Sequence, residues 1–265
     1  MIEELAKIKD LVLDTVAKQE QAAHKNPLNR RAAKCFSQTD EDGITLEILR
    51  RLGILHSNGT YIEFGPGDGM ENNTLILASL GWRGSWIGGQ DLAWRYRPCK
   101  KLLFQKDWVT LATIPAAIAR AREHLAVDTV DVVSMDLDGN DIYFTEQILG
   151  LGIRPQLFIV EYNAKFIPPV KFKMDYNPDF QWNGTDWFGA SLASYTDLFA
   201  RNGYQLVCCN SHTGANAFYV RNDWMAVFGD VPTDIRDIYA GPRYHQMSWF
   251  GHRPSFEVIE TLFRD

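Results

Sequence analysis

The sequence predicts an α/β fold: a mostly parallel, seven-stranded sheet covered by helices on both faces and closed by an antiparallel hairpin. Three observations carry this expectation. From about residue 60 onward, short β-rich runs alternate with helical ones, the pattern of parallel strands joined by crossovers. Several runs are apolar throughout, as strands buried on both faces are. The last two runs are separated only by S-H-T-G-A, too short for a crossover and long enough for a hairpin.

The elements follow in order. Residues 2–20 carry Ile2, Leu5, Ile8, Val12 and Val16 at helical spacing, an amphipathic helix that either caps the domain or pairs with a second copy as a homodimer. Capping is the preferred reading. A second helix spans about 42–52 and stops at Gly53. Strands are expected at 61–64, 85–87, 102–105, 130–135, 157–160, 204–209 and 217–220, with helices notably at 71–80, 112–125 and 141–150. The segment 162–188, rich in aromatics, Pro, Asn and Asp, is longer than an ordinary connection and reads as a lid or substrate loop. The chain then divides into an N-terminal helical extension (1–34), a core with that insertion (35–222) and a C-terminal extension (223–265). Sheets of this kind bind ligands beyond the carboxyl ends of their strands, near the point where strand order reverses.

Composition narrows the function. The chain has 265 residues, 46% of them hydrophobic and 23% charged, enough for one sizeable core. The net charge of −6 comes from intermixed acids and bases, which argues against a nucleic-acid partner. No basic leader precedes an apolar stretch, and no apolar run reaches the roughly 18 residues of a membrane span, so a soluble, cytoplasmic protein is expected. Cys35, Cys99, Cys208 and Cys209 lack C-x-x-C or metal-finger spacing and read as buried, reduced thiols.

The chemistry concentrates in Y-I-E-F-G-P-G-D-G-M-E-N-N-T, residues 61–74. Gly65, Gly67 and Gly69 form G-x-G-x-G, which differs from the G-x-G-x-x-G of dinucleotide sites. Glu63 precedes the loop, and Asp68 lies within it, where it would repel a pyrophosphate. Acids around a glycine turn suit a zwitterionic, sulfonium-bearing ligand, and S-adenosylmethionine is favoured over a dinucleotide. The plain alternative is a tight strand-to-helix turn in which glycine serves geometry alone.

E-F-G-P-G-D-G resembles the first motif of class I S-adenosylmethionine-dependent methyltransferases, whose fold is Rossmann-like. With S-Q-T-D-E-D-G-I (37–44), G-W-R-G-S-W-I-G-G (81–89), M-D-L-D-G-N-D-I-Y (135–143), I-V-E-Y-N (159–163), F-G-A-S-L (188–192) and N-A-F-Y-V-R (216–221), the chain resembles the FkbM-type branch over about 35–222. The resemblance implies O-methylation of a hydroxyl on a sugar, a surface glycan (capsule or lipopolysaccharide) precursor, a secondary metabolite or a related small polar metabolite. It implies that Glu63, Gly65 and Gly67 surround the methionine end of the cofactor, with Ser37 and Gln38 as additional contacts and Asp107 at the adenine. After strand 2 the chain reads W-I-G-G-Q-D where most class I enzymes place an acid directly. Gln90 and Asp91 are the candidates for the ribose, Asp91 preferred because a carboxylate accepts two hydroxyls at once.

A second acidic cluster, Asp136, Asp138 and Asp141, follows an apolar run, and Glu161 lies 25 residues beyond Asp136 at the end of the next strand. Converging carboxylates repel unless a cation or proton intervenes. Oxygen-only ligands point to Mg²⁺ or Mn²⁺. A calcium loop is excluded, because positions six and twelve from Asp136 are Asp141 and Gln147 instead of Gly and Glu. The alternative is that one acid, Asp136, holds cofactor or substrate hydroxyls while others cap the helix near Asn140. A hydroxyl nucleophile needs a proton acceptor. Without a metal Asp138 is preferred; with one it becomes a ligand and His212 gains weight, although a histidine in that turn is more simply read as solvent-exposed. Arg243, His245, His252 and Arg253 in the aromatic tail are candidates for substrate recognition, although amphipathic surface packing is the commoner reason for such a composition. Two rival functions stand beside this one: a nicotinamide-dependent oxidoreductase, disfavoured by the glycine spacing and Asp68, and a catalytically silent binding protein on the same scaffold.

Overall fold

The structure, a computed structural model, describes residues 2–244, 256, 259, 260, 263 and 264; the tail candidates His245, His252 and Arg253 lie outside them. Seven strands form one sheet: β1 (Thr60–Phe64), β2 (Arg83–Gly88), β3 (Leu102–Lys106), β4 (Val132–Met135), β5 (Leu157–Glu161), β6 (Tyr204–Cys209) and β7 (Asn216–Arg221). Their order is β3-β2-β1-β4-β5-β7-β6. Every pairing among β1 to β5 is parallel, and β7 runs antiparallel to both β5 and β6. The predicted mostly parallel sheet with its final hairpin is therefore present.

Period-two alternation assigns the two faces. Ile62 and Phe64 of β1, with Val133, Met135, Phe158 and Val160, pack in the core under α4 (Ile114–Leu125), α5 (Asp141–Gly150) and α6 (Leu192–Arg201). Tyr61, Trp86, Val132, Leu157 and Ile159 pack on the other face against α2 (Glu41–Arg51) and α3 (Leu75–Ser79). Burying both faces explains why these strands are apolar on both sides of the pleat, as in Leu157–Val160.

Two helices differ from expectation. The helix expected at 71–80 begins only at Leu75, because the Asn72 side chain accepts from the backbone of Thr74 and Leu75, and the Asn73 and Thr74 donors go to Glu63. Helix α6 is an addition to the expected helices; the Ser191 side chain caps it by accepting from Ser194 N–H, satisfying one of the first-turn donors that a helix leaves open.

In α1 (Ile2–Ala23), Leu5, Ile8, Leu11 and Val12 are each more than half exposed while Ala17 is buried. Capping by this helix is thus confined to its C-terminal half. Cys208 and Cys209 are buried thiols as expected, but Cys35 is exposed. No helix among the described residues is long and apolar enough to cross a membrane.

The segment after β5 is pinned to the sheet's carboxyl edge. Asn140 and Asn177 exchange two hydrogen bonds, at 2.7 and 3.1 Å. Trp108 Nε1 donates to the Pro178 carbonyl at 2.7 Å, and Tyr143 donates to that of Met174 at 2.9 Å. Phe180 lies so close over Gly139 that a Cβ there would stand 2.6 Å from its ring.

Candidate active site

The three loop glycines answer to three different constraints. Gly65 has φ +80°, and a Cβ on it would lie 1.6 Å from the Asp136 carbonyl oxygen; it is glycine because the ends of β1 and β4 touch. A Cβ on Gly69 would strike Leu92 and Trp94 at 2.8 and 2.9 Å. Gly67, at φ +58°, meets nothing nearer than the Gln90 side-chain oxygen at 3.7 Å. Its flank is open, and a left-handed, Cβ-free residue there lets a ligand approach the backbone.

Glu63 is the acid that supports this loop. Its carboxylate is buried and accepts from Asn73 N–H at 3.0 Å and from the Thr74 hydroxyl, which in turn accepts from Trp86 Nε1 at 2.9 Å. Burial pushes its pKa up to about 7, against these hydrogen bonds. Glu63 thereby fixes the start of α3 beneath the glycine turn.

The 35–42 segment crosses the same edge. Asp42 Oδ2 accepts from the N–H groups of Cys35, Phe36 and Ser37 at 2.6 to 2.8 Å, and the Phe36 carbonyl accepts from Asn72 N–H beyond the glycine loop. Ser37 is fully buried, and its hydroxyl has no hydrogen-bond partner. Gln38 is exposed, and its carbonyl takes the Lys34 ammonium at 2.7 Å.

One oxygen from each of Asp136, Asp138 and Glu161 lies within 4.8 Å of the other two. Parallel pairing of β4 with β5 brings their ends level, Met135 opposite Val160. Burial first, then the charges of neighbouring carboxylates, raise Asp136 and Glu161 well above the usual carboxylate range. Burial also raises Asp138, which sits at the exposed rim. Asp141 is placed apart from the three. It is buried at the start of α5, where its oxygens accept from Leu137 and Gly139 N–H at 2.6 and 2.7 Å. Those two bonds flank Asp138, a non-glycine residue held at φ +56°, a conformation that costs about 1–2 kcal/mol. Asp141 thus positions the loop.

The remaining candidates are dispersed. Asp91 turns to Lys106, 2.7 Å away, with most of its side chain in solvent, and Gln90 is the residue beside Gly67. Asp107 follows β3, donates its N–H to the Gly88 carbonyl and pairs with Arg120 at 3.4 Å. His212 is buried, contrary to an exposed turn, and lines a different cavity with Asp40 and residues of α1. Arg243 is held by Glu20 at 2.6 Å and by the Ser211 carbonyl at 3.3 Å. Missing from the candidates was Glu41, which is buried and accepts from Thr39, Asn210 and Asn216, tying the 35–42 segment to the β6–β7 hairpin. Its signal was the unbroken acid run D-E-D at 40–42.

No family model matches the chain, and no curated protein matches it. Among solved structures it is similar to human N-acetylserotonin methyltransferase in complex with SAM, at 13% identity over 68% of this chain and 56% of that one, with a TM-score of 0.35. It is similar to an amino pentose methyltransferase from Micromonospora echinaspora, at 13% identity, 71% and 92% coverage and a TM-score of 0.34. An O-methyltransferase family protein from Burkholderia thailandensis shares 11% identity over 68% and 57% of the two chains, with a TM-score of 0.33. This chain spans little more than half of the first and third. Likenesses this loose say nothing of the site.

Proposed function

We propose that the chain is an S-adenosylmethionine-dependent O-methyltransferase acting on a hydroxyl of a sugar, a glycan precursor or a related small polar metabolite, with a divalent ion at Asp136, Asp138 and Glu161. The observation that carries this reading is the open flank of Gly67, with the unpartnered buried hydroxyl of Ser37 on the neighbouring segment. A cradle that a Cβ would narrow and a polar atom awaiting a partner fit the methionine end of such a donor. When bound, S-adenosylmethionine supplies an electrophilic methyl group.

The chain's residues do the rest. The N–H groups of Gly67 and Asp68 hold the donor's carboxylate and the Ser37 hydroxyl its ammonium, Gln90 with Asp91 serves the ribose, and Asp107 serves the adenine. The three carboxylates fit Mg²⁺ or Mn²⁺ because they are hard oxygen donors whose mutual repulsion a cation offsets. Asp138, at the rim, would accept the proton of the attacking hydroxyl when no ion is bound; with an ion held by the three carboxylates the hydroxyl's pKa would fall and its proton would pass to solvent at the rim. Orientation of acceptor against donor supplies much of the rate.

Two outcomes check this. With a panel of hydroxylated acceptors, at least one is expected to release adenosylhomocysteine, and Asp138→Asn or Asp136→Asn is expected to slow release about 10²-fold or more; full activity in both variants would remove the carboxylates from the reaction. Asp141→Asn is expected to weaken Mn²⁺ binding about tenfold, as loss of a supporting carboxylate around an ion does, in a paramagnetic-resonance titration. Unchanged affinity would mean that the left-handed Asp138 turn does not set the cluster.

A further inference from the structure

We propose that the cavity between α1 and the 32–40 segment is a second ligand site, taking a primary ammonium group on a short aliphatic body. It lies apart from the glycine loop and the carboxylate cluster, and it stands whether or not the chain transfers methyl groups. Its volume is about 240 Å³, and Ala17, Ala32 and Ala33 with the stems of Lys18 and Lys34 give it largely apolar walls.

Both lysine ammoniums are engaged, Lys18 with Asp14 of the same wall at 2.6 Å and Lys34 with Glu71 at 3.0 Å and the Gln38 carbonyl at 2.7 Å. The carboxylate left at the wall is Asp40, only 5% exposed, and the His212 imidazole shares that wall. Its Oδ1 accepts from Asn210 at 3.2 Å, while its Oδ2 is buried without a hydrogen-bond partner. A buried acceptor left unmet is destabilising, more so when it is charged.

Burial and then the charge of Glu41 push Asp40 up to about 7, against hydrogen bonding from Asn210 and from Gln21 on the same wall; both amides are neutral and leave the charge unmet. A hydroxyl ligand would meet the missing hydrogen bond but not the charge. A quaternary ammonium would meet the charge but carries no N–H. A primary ammonium offsets both, and the apolar walls suit its carbon body.

The test uses n-butylammonium at pH 8, followed by amide chemical shifts of the full chain, with butan-1-ol and butyltrimethylammonium as comparators. Saturable shifts for n-butylammonium are expected, at least tenfold weaker with either comparator and in Asp40→Asn, which keeps the oxygen that Asn210 needs. Ala33→Leu, at an exposed lining position, narrows the cavity without touching the carboxylate and is expected to abolish the shifts. No saturation in the unaltered chain, equal affinity in Asp40→Asn, or equally tight butan-1-ol would overturn the proposal. Should Asp40→Asn fail to fold, undiminished binding in Ala33→Leu overturns it alone. Titration of the same sample with S-adenosylmethionine reports separately on the methyl-donor reading.

Discussion

Gly65→Ala is expected to destabilise the whole carboxyl edge, whereas Gly67→Ala is expected to leave the fold standing and to expel the ligand. At Gly65 the new Cβ would fall 1.6 Å from a backbone carbonyl oxygen of β4, a contact that no rotamer change relieves, so one strand end must move. Overpacking of this kind costs about 1–3 kcal/mol, and a left-handed alanine adds about 1–2 kcal/mol. The sum, about 2–5 kcal/mol, corresponds to a fall in Tm of roughly 10 °C for a chain of this size. At Gly67 only the second cost applies, because the nearest atom is 3.7 Å away; the Tm is expected to fall by about 5 °C or less. Donor affinity is expected to fall at least tenfold, since the methyl group enters the open flank. Thermal unfolding and calorimetric titration of both variants check this pair. Equal stability losses, or a Gly67→Ala protein that binds the donor normally, would show that the loop merely turns the chain.

The second large effect is an inverted pH dependence of stability, reversible by a divalent ion. Asp40 and Glu63 sit at about 7, and Asp42 and Asp141 at about 6, in each case chiefly because burial disfavours the charged form. Unfolded Asp and Glu titrate near 4. Between about pH 4 and 7 the folded chain therefore holds more protons than the unfolded one, and stability falls as pH rises through that window. One carboxyl raised by about 2 pH units costs about 3 kcal/mol once it is ionised, though interacting groups do not add simply. The Tm is expected to be about 5–10 °C lower at pH 8 than at pH 5.5. Millimolar Mn²⁺ is expected to recover part of that loss at pH 8, where Asp136, Asp138 and Glu161 must otherwise repel one another, and little at pH 5.5. Scans at the two pH values, with and without the ion, decide it. A Tm that rises toward pH 8 would contradict the burial argument, and a Tm indifferent to Mn²⁺ would contradict the ion site.

Most strands were legible because their apolar runs are also their buried runs, the edge strand β3 being only partly so; all seven lie where periodicity and flanking turns put them, within two residues at the ends. Helix α5 was legible to the residue, with Asp141 at its first turn. Helix α3 was not, since its apparent first turn is spent on Glu63, a tertiary demand that overrides local propensity. The site was legible as a set of strand ends. What sequence spacing could not give was direction: Asp91 points to Lys106, Asp141 back into its own loop, and Glu63 beneath the turn. Short acidic side chains satisfy nearby N–H donors as readily as ligands, and only the fold decides between the two.

A crystal structure of the chain grown with adenosylhomocysteine tests the donor site most directly. The amino-acid end of that molecule is expected against the open flank of Gly67, with a hydrogen bond to the Ser37 hydroxyl. An empty loop with the ligand elsewhere, or a nicotinamide dinucleotide preferred at that place in competition, would contradict it.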